Sequence, residues 1–593
     1  MTKRTYSLQQ AYELMCLSGE SSEEVDNSDS EFEPVVDSDT ISADSEIEDQ
    51  SSPQPNSSGR QRETVVTASQ TNSGESRVPP AKRRRRHTLI PEDMANPVWS
   101  PANLEAVEQP PFTAQAGISI DTTNFSPMDF FQLIISDELL GMIVEQTNLY
   151  AQQHIAAHPG SSYAKPGHWK PTTIPEFRKF LGLFLNMGIT IKHHYKDYWS
   201  KVSIHHMGIF SCTMSRTRFL TILRFLHFND NAQCASSTSP NFDRLYKIRP
   251  LINYFSQKFP ELYTPEKDIS IDESLIHFTG RLAIKQYIPS KRTRYGVKMY
   301  KLCESTSGYT WSFRIYEGKD SQLEPPGCPD YIGTNGKVVR DLITPLLNNG
   351  YNLYLDNFYT SIPLFKHLFS QKTPACGTMR SNRKGFPQTL VNRRLERGES
   401  QYLRSNEMLA AKYKDKRDVY MLSTIHPAAN APTRRDGVQK PLCIHEYNQY
   451  MGGVDFNDRL VQSHLALRKS KYWYKKVAIY LIQVGIVNSW ILHKKSTNSG
   501  TYKSFLETIV IELLEPSDEG PSTRSDAVAR LSGKHYPVKI PPTACKEYPQ
   551  KRCRVCSKQK RRVLSRYHCT DCPEKPGLCM KDCFRKYHSS IRF

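Results

Sequence analysis

Four aspartates in this sequence have the spacing of a metal site. Asp272 ends the segment ISID and Asp356 ends LYLD. Asp455 and Asp458 lie three residues apart in GGVDFND, so on a helix they share a face. Mg²⁺ prefers carboxylate oxygens, and two such ions can activate an attacking oxygen and stabilise a leaving one in phosphodiester chemistry. A single strand-terminal aspartate is more often a loop cap than a ligand, so the prediction of a divalent-metal site depends on the four acids together.

A cysteine-rich segment near the end of the sequence has the spacing of a zinc site. Six of the 14 cysteines lie within residues 553–583, where two CxxC pairs precede two further cysteines and a histidine. The seven candidate ligands are Cys553, Cys556, Cys569, Cys572, Cys579, Cys583 and His588. Because tetrahedral zinc takes four such ligands, two Zn²⁺ ions need eight, and His568 is an open candidate for the eighth. The other cysteines are scattered singly, which indicates free thiols in a reducing compartment.

Hydrophobic periodicity predicts the elements that would position the aspartates. Apolar residues alternate with other side chains in both ISID and LYLD, which predicts two strands; if these are neighbours, Asp272 and Asp356 converge. Upstream, residues 173–176 (TIPE) fit a capping box, and apolar residues at helical spacing follow them. Helical periodicity returns at residues 444–495, which contain the second pair of aspartates. The pattern indicates an α/β core in helical surroundings.

The charge of the sequence is unevenly distributed. The 593 residues carry a formal net charge of +19, but residues 1–50 carry −12, so the remainder carries +31. Such a basic body predicts a polyanionic partner, with nucleic acid preferred to an anionic membrane. No signal peptide opens the sequence, and its longest apolar stretch, Val477 to Leu492, is interrupted and shorter than the roughly 18–20 residues of a spanning helix. We therefore expect an intracellular protein with no membrane partner.

Several basic runs are candidates for contact with a polyanion. Residues 1–117 are predicted to be acidic and disordered, and they contain a run that predicts nuclear import or a nucleic-acid arm in preference to a solvated charge run: Lys82, Arg83, Arg84, Arg85 and Arg86. Elsewhere, cations that neutralise phosphates lie near aromatic rings that stack on bases. The candidate DNA-contacting residues are Lys291, Arg292, Arg294, Lys298, Arg380, Arg383, Lys384, Arg468, Lys471, Trp473, Lys475 and Lys476. For Trp473, base stacking and anchoring in the core are both open.

The segments ISIDESL, YLDNFYTSIPLF and EYNQYMGGVDFND resemble the catalytic core of piggyBac transposases. RLAIKQYIPSKRTRYGVKMYKLCESTSGY and KSKYWYKKVAIYLIQVGIVNSW extend the resemblance to roughly residues 120–593. It implies a multidomain α/β protein with a ribonuclease-H-like catalytic core that is split by an insertion domain. It further implies a mostly helical dimerisation and DNA-binding domain around this core, and a C-terminal cross-brace zinc finger for two Zn²⁺ ions.

The resemblance assigns roles and boundaries. Catalysis and the binding of Mg²⁺ or Mn²⁺ fall on Asp272, Asp356 and Asp455, with Asp458 as a further essential aspartate. The expected domains are a disordered region (1–117), a dimerisation and DNA-binding domain (118–266 and 465–535), a catalytic domain (267–380 and 440–464), an insertion domain (381–439), a linker (536–550) and a zinc-binding domain (551–593).

The resemblance also implies an activity. piggyBac transposases cut and paste DNA through hairpin ends at TTAA targets, which implies a nuclear homodimer that binds transposon terminal inverted repeats and TTAA target DNA. Two alternatives are open: a domesticated, non-catalytic DNA-binding or chromatin protein, and a ubiquitin ligase or chromatin reader that acts through the zinc tail. Inverted repeats and TTAA flanking the gene would favour the active element.

Overall fold

The computed structural model describes residues 91–589 except for short segments. The omitted segments are residues 93–95, 103–106, 161–162, 164–167, 237, 290, 292, 319–322, 433–438, 467–469, 516–534, 544–545, 573 and 581. The predicted disorder of residues 1–90, the import run 82–86, Arg292 and Arg468 lie outside the described residues.

A ten-stranded mixed sheet forms the centre of the protein, and short two-stranded sheets lie outside it. The described strands are β1 (Ser100–Pro101), β2 (Gly117–Ile118), β3 (Tyr263–Thr264), β4 (Asp268–His277), β5 (Lys285–Tyr287), β6 (Tyr295–Glu304), β7 (Thr310–Ile315), β8 (Asn352–Leu355), β9 (Ala375–Thr378), β10 (Ser400–Ser405), β11 (Met408–Lys414), β12 (Asp418–Ser423), β13 (Asn430–Pro432), β14 (Gln439–Pro441), β15 (Pro537–Lys539), β16 (Lys551–Arg552), β17 (Leu564–Ser565) and β18 (Tyr567–Cys569).

The strand order across the large sheet is β1-β10-β11-β12-β9-β8-β4-β6-β5, and β7 also pairs with β6. β4 runs antiparallel to β6 and parallel to β8, and β9 runs parallel to β8. Ile271 is aligned with Leu355, so the strands predicted at ISID and LYLD are neighbours. The strands of the predicted insertion, β10 to β12, continue the same sheet, because β12 pairs with β9.

The folded region begins earlier than the sequence predicted. β1 pairs with β10, and the Trp99 indole N–H donates to the Gly385 carbonyl (2.9 Å). Phe112 packs edge-on against the buried Tyr351 ring, with 5.0 Å between the ring centres. The prediction of disorder over residues 1–117 is therefore wrong for this part, because its aromatic residues are anchored on the sheet.

Helices surround the sheet and share one hydrophobic core with it. The described helices are α1 (Pro127–Ile134), α2 (Asp137–Ala157), α3 (Ile174–Ile189), α4 (Gly208–Thr213), α5 (Arg216–Phe225), α6 (Arg249–Leu262), α7 (Gly333–Ile343), α8 (Ile362–Ser370), α9 (Gln388–Asn392), α10 (Leu442–Tyr450), α11 (Gly453–Ser463), α12 (Trp473–Thr497), α13 (Tyr502–Leu514), α14 (Arg554–Lys558) and α15 (Asp582–Ser589).

Helix α3 shows how local sequence starts an element. The Thr173 hydroxyl accepts a hydrogen bond from the Glu176 backbone N–H (3.4 Å), so Thr173 is the N-cap, as predicted. The Glu176 carboxylate does not complete the predicted capping box; it binds the Arg218 guanidinium at 2.6 and 2.8 Å. The apolar stripe that includes Phe177 and Phe180 is buried, as its spacing predicted.

Helix α12 is the central helix of the protein. Among the described helices it is the one long and apolar enough to cross a membrane, and 89% of its apolar window is buried inside the protein. It packs closely against α1 and α6 at Gly485, where a Cβ would lie 3.1 Å from both Ile134 and Phe255. Such extensive burial is typical of a helix in the core of a folded protein.

Residues 535–589 form a small unit with its own core of Val555, Leu578 and Tyr587. β15 pairs with β18, and β16 pairs with β17. β15 lies in the segment 536–550 that was predicted to be a linker, so that prediction is wrong at its start. The segment is rich in proline and lysine, but its backbone pairs with β18.

Candidate functional site

Asp272 and Asp356 lie on neighbouring strands. Asp272 lies within β4 and Asp356 directly follows β8, each one residue beyond the aligned pair Ile271 and Leu355. Side chains at equivalent positions of adjacent strands point to the same face of a sheet. The Asp356 carboxylate accepts a hydrogen bond from the Thr378 hydroxyl of β9 (3.1 Å), which orients it at the strand end.

The surroundings of Asp272 favour the neutral, protonated form of its carboxyl group. Burial raises the pKa of the Asp272 carboxyl to about 7, and the Lys291 ammonium opposes that rise. The negative charges of Glu273 and Asp455 contribute to the rise of the pKa to this value. Lys291 Nζ lies 3.9 Å from Asp272 Oδ2 and donates to the Glu273 backbone carbonyl (3.1 Å). A cation at this carboxylate would lower its pKa by stabilising the ionised form, so the donor set fits a metal that takes oxygen ligands.

Helix α11 brings Asp455 towards β4. A Cβ at Gly453 would lie 2.7 Å from Ser270 Oγ and 2.8 Å from the Glu304 carbonyl oxygen, so glycine allows this close approach to the sheet. Asp455 lies in the first turn of α11. Among the described residues, three or more potential Cys, His, Asp or Glu ligand atoms within 4.8 Å of one another occur only in the small unit of residues 535–589, which we call the finger. No three of the four aspartates therefore have ligand atoms within 4.8 Å of one another.

Gly453→Ala should destabilise the protein by about 1–3 kcal/mol, because the new methyl group would force α11 away from β4. The free energy of unfolding in urea measures this cost. The control is Gly452→Ala, since a Cβ at Gly452 would meet no atom within 4 Å. Equal stability of the two variants would contradict the close contact at Gly453.

Asp458 anchors α11 to the sheet through a buried network. Its Oδ1 accepts hydrogen bonds from Ser274, Lys301 and Tyr480, each at 2.8 Å. Lys301 is fully buried and also donates to the Asn457 amide oxygen (2.9 Å). Burial disfavours the charged ammonium, but the Asp458 carboxylate outweighs it and raises the pKa of Lys301. These contacts fit a supporting role for Asp458, in which it fixes the position of α11.

Lys301→Met should destabilise the protein by about 3 kcal/mol, because the Asp458 carboxylate then lacks its buried cation. Methionine has nearly the same length, so little packing is lost. Unfolding in guanidinium chloride, followed by circular dichroism, measures the cost. The control is Lys503→Met, which removes an exposed pair with Glu507 (3.7 Å) and should cost less than about 0.5 kcal/mol. A cost for Lys301→Met as small as that would contradict the importance of the buried pair.

Three of the predicted DNA-contacting lysines are buried. The Lys298 ammonium lies 4.7 Å from the centre of the Tyr300 ring and 4.4 Å from that of Phe358, and burial lowers the pKa of Lys298. Lys475 donates to two carbonyl oxygens in the last turn of α5, and Lys476 donates to a carbonyl oxygen at the end of β4. The prediction that these three face a nucleic acid is therefore wrong for this structure, since their ammonium groups bind parts of the protein.

Arg380 and Arg383 hold the loop that follows Asp356. Arg380 Nε donates to the Asn357 side-chain oxygen (2.9 Å), and Arg383 donates to the Asn357 and Phe358 carbonyls (both 3.0 Å). Both arginines thus position backbone next to a candidate metal ligand. The remaining described candidates are half buried or exposed, and contact with DNA stays a prediction for them: Lys291, Arg294, Lys384, Lys471 and Trp473.

Two groups of four Cys and His side chains meet in the finger. One group is Cys553, Cys556, Cys579 and Cys583, and the other is His535, Cys569, Cys572 and His588. Within each group all ligand atoms lie within 4.8 Å of one another. For example, Cys556 Sγ lies 3.5 Å from Cys583 Sγ, and two sulfurs bound to one tetrahedral zinc would be roughly 3.8 Å apart. The groups alternate along the chain in the cross-brace manner, and each fits one Zn²⁺.

His535 is the candidate eighth ligand that the sequence did not reveal. Its Nδ1 lies 3.4 Å from Cys569 Sγ and 3.7 Å from Cys572 Sγ. His568, the open candidate, is adjacent to Cys569 on β18, and adjacent residues of a strand point to opposite faces. That alternation was a signal against His568, whereas His535 lies 18 residues before Cys553 and could be found only by searching for a missing ligand.

The fold and these sites define a class of transposase-like proteins with a terminal zinc finger. Residues 126–490, more than half of the chain, match the family described as Transposase IS4. Residues 532–589 match the family described as DDE_Tnp_1-like zinc finger. The chain belongs to the piggyBac transposase family.

Similar proteins cover most of the chain. Human "PiggyBac transposable element-derived protein 3" is 27% identical over 536 residues, which is 86% of this chain and 83% of that protein. Human "PiggyBac transposable element-derived protein 2" is 24% identical over 440 residues, 70% of this chain and 69% of that protein. The cryo-EM structure of the piggyBac transposase synaptic complex with hairpin DNA is similar in fold, with a TM-score of 0.63 and 24% identity, over 79% of this chain and 100% of that one.

Proposed function

We propose that this chain is a DNA transposase of piggyBac type, which cuts and pastes DNA at TTAA sites through metal-dependent strand cleavage, hairpin formation and strand transfer. One observation carries the proposal: Asp272 and Asp356 follow aligned residues of neighbouring parallel strands, and α11, which carries Asp455, packs on the same strand at Gly453. The antiparallel strand on one side of β4 and the parallel strand on the other support a ribonuclease-H-like core.

Each group of side chains at the site has a separate task in this proposal. Asp272, Asp356 and Asp455 would hold two Mg²⁺ or Mn²⁺ ions, which supply activation of the attacking oxygen and stabilisation of the leaving one. Asp458 keeps α11 in place through Lys301. Arg380 and Arg383 fix the loop after Asp356, and so preserve the direction of its carboxylate.

The partners follow from charge and from similarity. The body of the chain carries a large positive charge, and the similar solved structure is a transposase complex with hairpin DNA. We infer that the substrates are transposon terminal inverted repeats and TTAA target DNA, that a homodimer handles both transposon ends, and that the protein acts in the nucleus. The finger, with two Zn²⁺ ions, would bind the terminal repeats.

The test is cleavage of a labelled duplex that carries the element's own end next to TTAA. The full-length protein, purified with zinc, should nick this duplex in Mg²⁺ or Mn²⁺ and form hairpin ends, and it should be inactive in EDTA. A duplex without the terminal repeat is the control for specificity. Tight binding to the end with no cleavage in either metal would contradict the proposal.

Tight binding to the element's end without cleavage would instead identify a domesticated, non-catalytic DNA-binding protein. The human relatives favour keeping this alternative, because they are described as transposable element-derived proteins. The candidate metal ligands of this chain are all carboxylates, which favours the enzyme.

A further inference from the structure

Two tyrosines stand exposed at the edge of the large sheet. Tyr287 ends β5 and Tyr295 begins β6, and the two residues face each other across the hairpin. Their rings lie 4.7 Å apart between centres with an angle of 31°, and the residues are 54% and 45% exposed. Large aromatic side chains are usually buried, so a paired and exposed set is a candidate binding surface.

The hairpin around these rings is strongly basic. Residues 281–294 contain five lysines and arginines and no acid. The Lys285 ammonium lies 5.8 Å from the centre of the Tyr295 ring. Arg281 and Arg294 are exposed on the same segment. Aromatic faces combined with cations suit a strand whose phosphates need neutralisation and whose bases offer faces for stacking.

The same hairpin reaches the candidate catalytic acids. Its loop is closed by a hydrogen bond from the Ile288 N–H to the Arg294 carbonyl (2.8 Å). Within it, Lys291 Nζ lies 3.9 Å from Asp272 Oδ2. Each tyrosine is four residues from Lys291, so its Cα lies at most about 14 Å from the Cα of Lys291. A strand with its phosphate at Asp272 could therefore place a nearby base on the rings.

We propose that Tyr287 and Tyr295 form a stacking platform for an unpaired base of a DNA strand bound at the acids. The ligand is single-stranded DNA, because a base within a duplex has both faces covered by its neighbours and offers only its edges to a side chain. The proposal rests on the proposed function, since an enzyme that nicks and refolds DNA ends must handle unpaired bases there. It adds a binding site to that function: the platform holds the frayed end, while the acids act on its backbone.

If the tyrosine pair serves only to stabilise the hairpin, a different result is expected. Cross-strand aromatic pairs stabilise hairpins, so the two rings would then matter for the stability of β5 and β6 and touch no base. Tyr287→Phe and Tyr295→Phe remove only the hydroxyl and keep both the stacking face and the cross-strand contact, so they show whether an effect of the alanine variants depends on the aromatic ring.

The first measurement is affinity for two probes in EDTA, where no cleavage occurs. The probes are a single strand of about 12 nucleotides with one 2-aminopurine, and the blunt duplex of the same sequence. Tyr287→Ala and Tyr295→Ala should weaken single-strand binding roughly 5- to 100-fold and relieve quenching of the 2-aminopurine, with duplex affinity unchanged. The phenylalanine variants should bind like wild type. Ile511→Ala, which removes another exposed apolar side chain, is the control.

The second measurement is photocrosslinking of wild-type protein to a single strand that carries 5-iodouracil, with the crosslinked residue identified by mass spectrometry. A crosslink to Tyr287 or Tyr295 is expected. Unchanged single-strand affinity of both alanine variants, or crosslinks that fall only elsewhere, would overturn the platform even if the enzyme cleaves DNA. Failure of wild type to cleave in Mg²⁺ is a separate result, which concerns the proposed function and not the platform.

Discussion

Asp272→Asn should lower Mg²⁺-dependent strand cleavage by at least about 10⁴-fold, which is roughly 5 kcal/mol of transition-state stabilisation. Asparagine has nearly the same shape, but it cannot carry the negative charge that a divalent cation requires. Binding to the end duplex should stay the same or tighten slightly, because the variant removes one negative charge. Cleavage on denaturing gels and affinity in EDTA measure the two effects on the same preparation.

The variant should also be at least as stable as wild type in EDTA. Burial raises the pKa of Asp272 to about 7, above its ordinary value of 3.8, so the folded state holds this proton more tightly than the unfolded state, and wild-type stability falls as pH rises from about 4 to about 7. Asparagine does not titrate, so the melting temperature of the variant should fall less than that of wild type between about pH 4 and pH 7. The control is Asp330→Asn, an exposed acid paired with Lys337, which should leave cleavage unchanged. Equal cleavage by Asp272→Asn and wild type would remove Asp272 from the site.

The strands of the site could be predicted because they depend on neighbouring residues. Alternation in ISID and LYLD was enough to predict β4 and the strand before Asp356, and the cap at Thr173 was enough to start α3. What the alternation could not supply was the partner of each strand. The pairing of β4 with β8 joins residues more than 80 positions apart, and many residues with the same pattern compete for it.

The burial of three lysines could not be predicted either, because it also depends on residues that are distant in the sequence. Lys298, Lys475 and Lys476 lie in basic runs, which are normally solvated. Each is buried because a residue distant in sequence presents an aromatic ring or a carbonyl oxygen to its ammonium group. Lys301 gave no sequence signal at all, since its carboxylate partner, Asp458, lies 157 residues away.

These buried cations change how the positive charge of the chain is understood. A lysine that caps a helix or pairs with Asp458 contributes to the formal charge but offers little to a polyanion. The charge available to a polyanion lies instead on exposed residues, such as Arg294 and Lys384. A basic composition therefore predicts a class of partner, whereas burial decides which residues can meet it.

Removal of zinc should unfold the finger while the large sheet stays folded. The finger has strands of two or three residues and a core of a few side chains, which is too little to fold without cross-links. Structural zinc contributes about 10–16 kcal/mol of apparent binding free energy in small fingers. Treatment with a strong chelator should expose the basic segment 551–566 to trypsin and leave most of the circular dichroism signal. Persistence of a protease-resistant finger without metal would contradict this dependence.

Two histidine variants decide which residues hold the metal. His535→Ala should reduce the zinc content from two ions per chain to one, because His535 is one of four side chains in its group. His568→Ala is the matched control: it changes a buried histidine of the same finger that lies outside both groups, so it should keep two ions. Zinc content measured by mass spectrometry of the metal separates the two variants. Two ions retained by His535→Ala, with one lost by His568→Ala, would reverse the assignment and place the eighth ligand on β18.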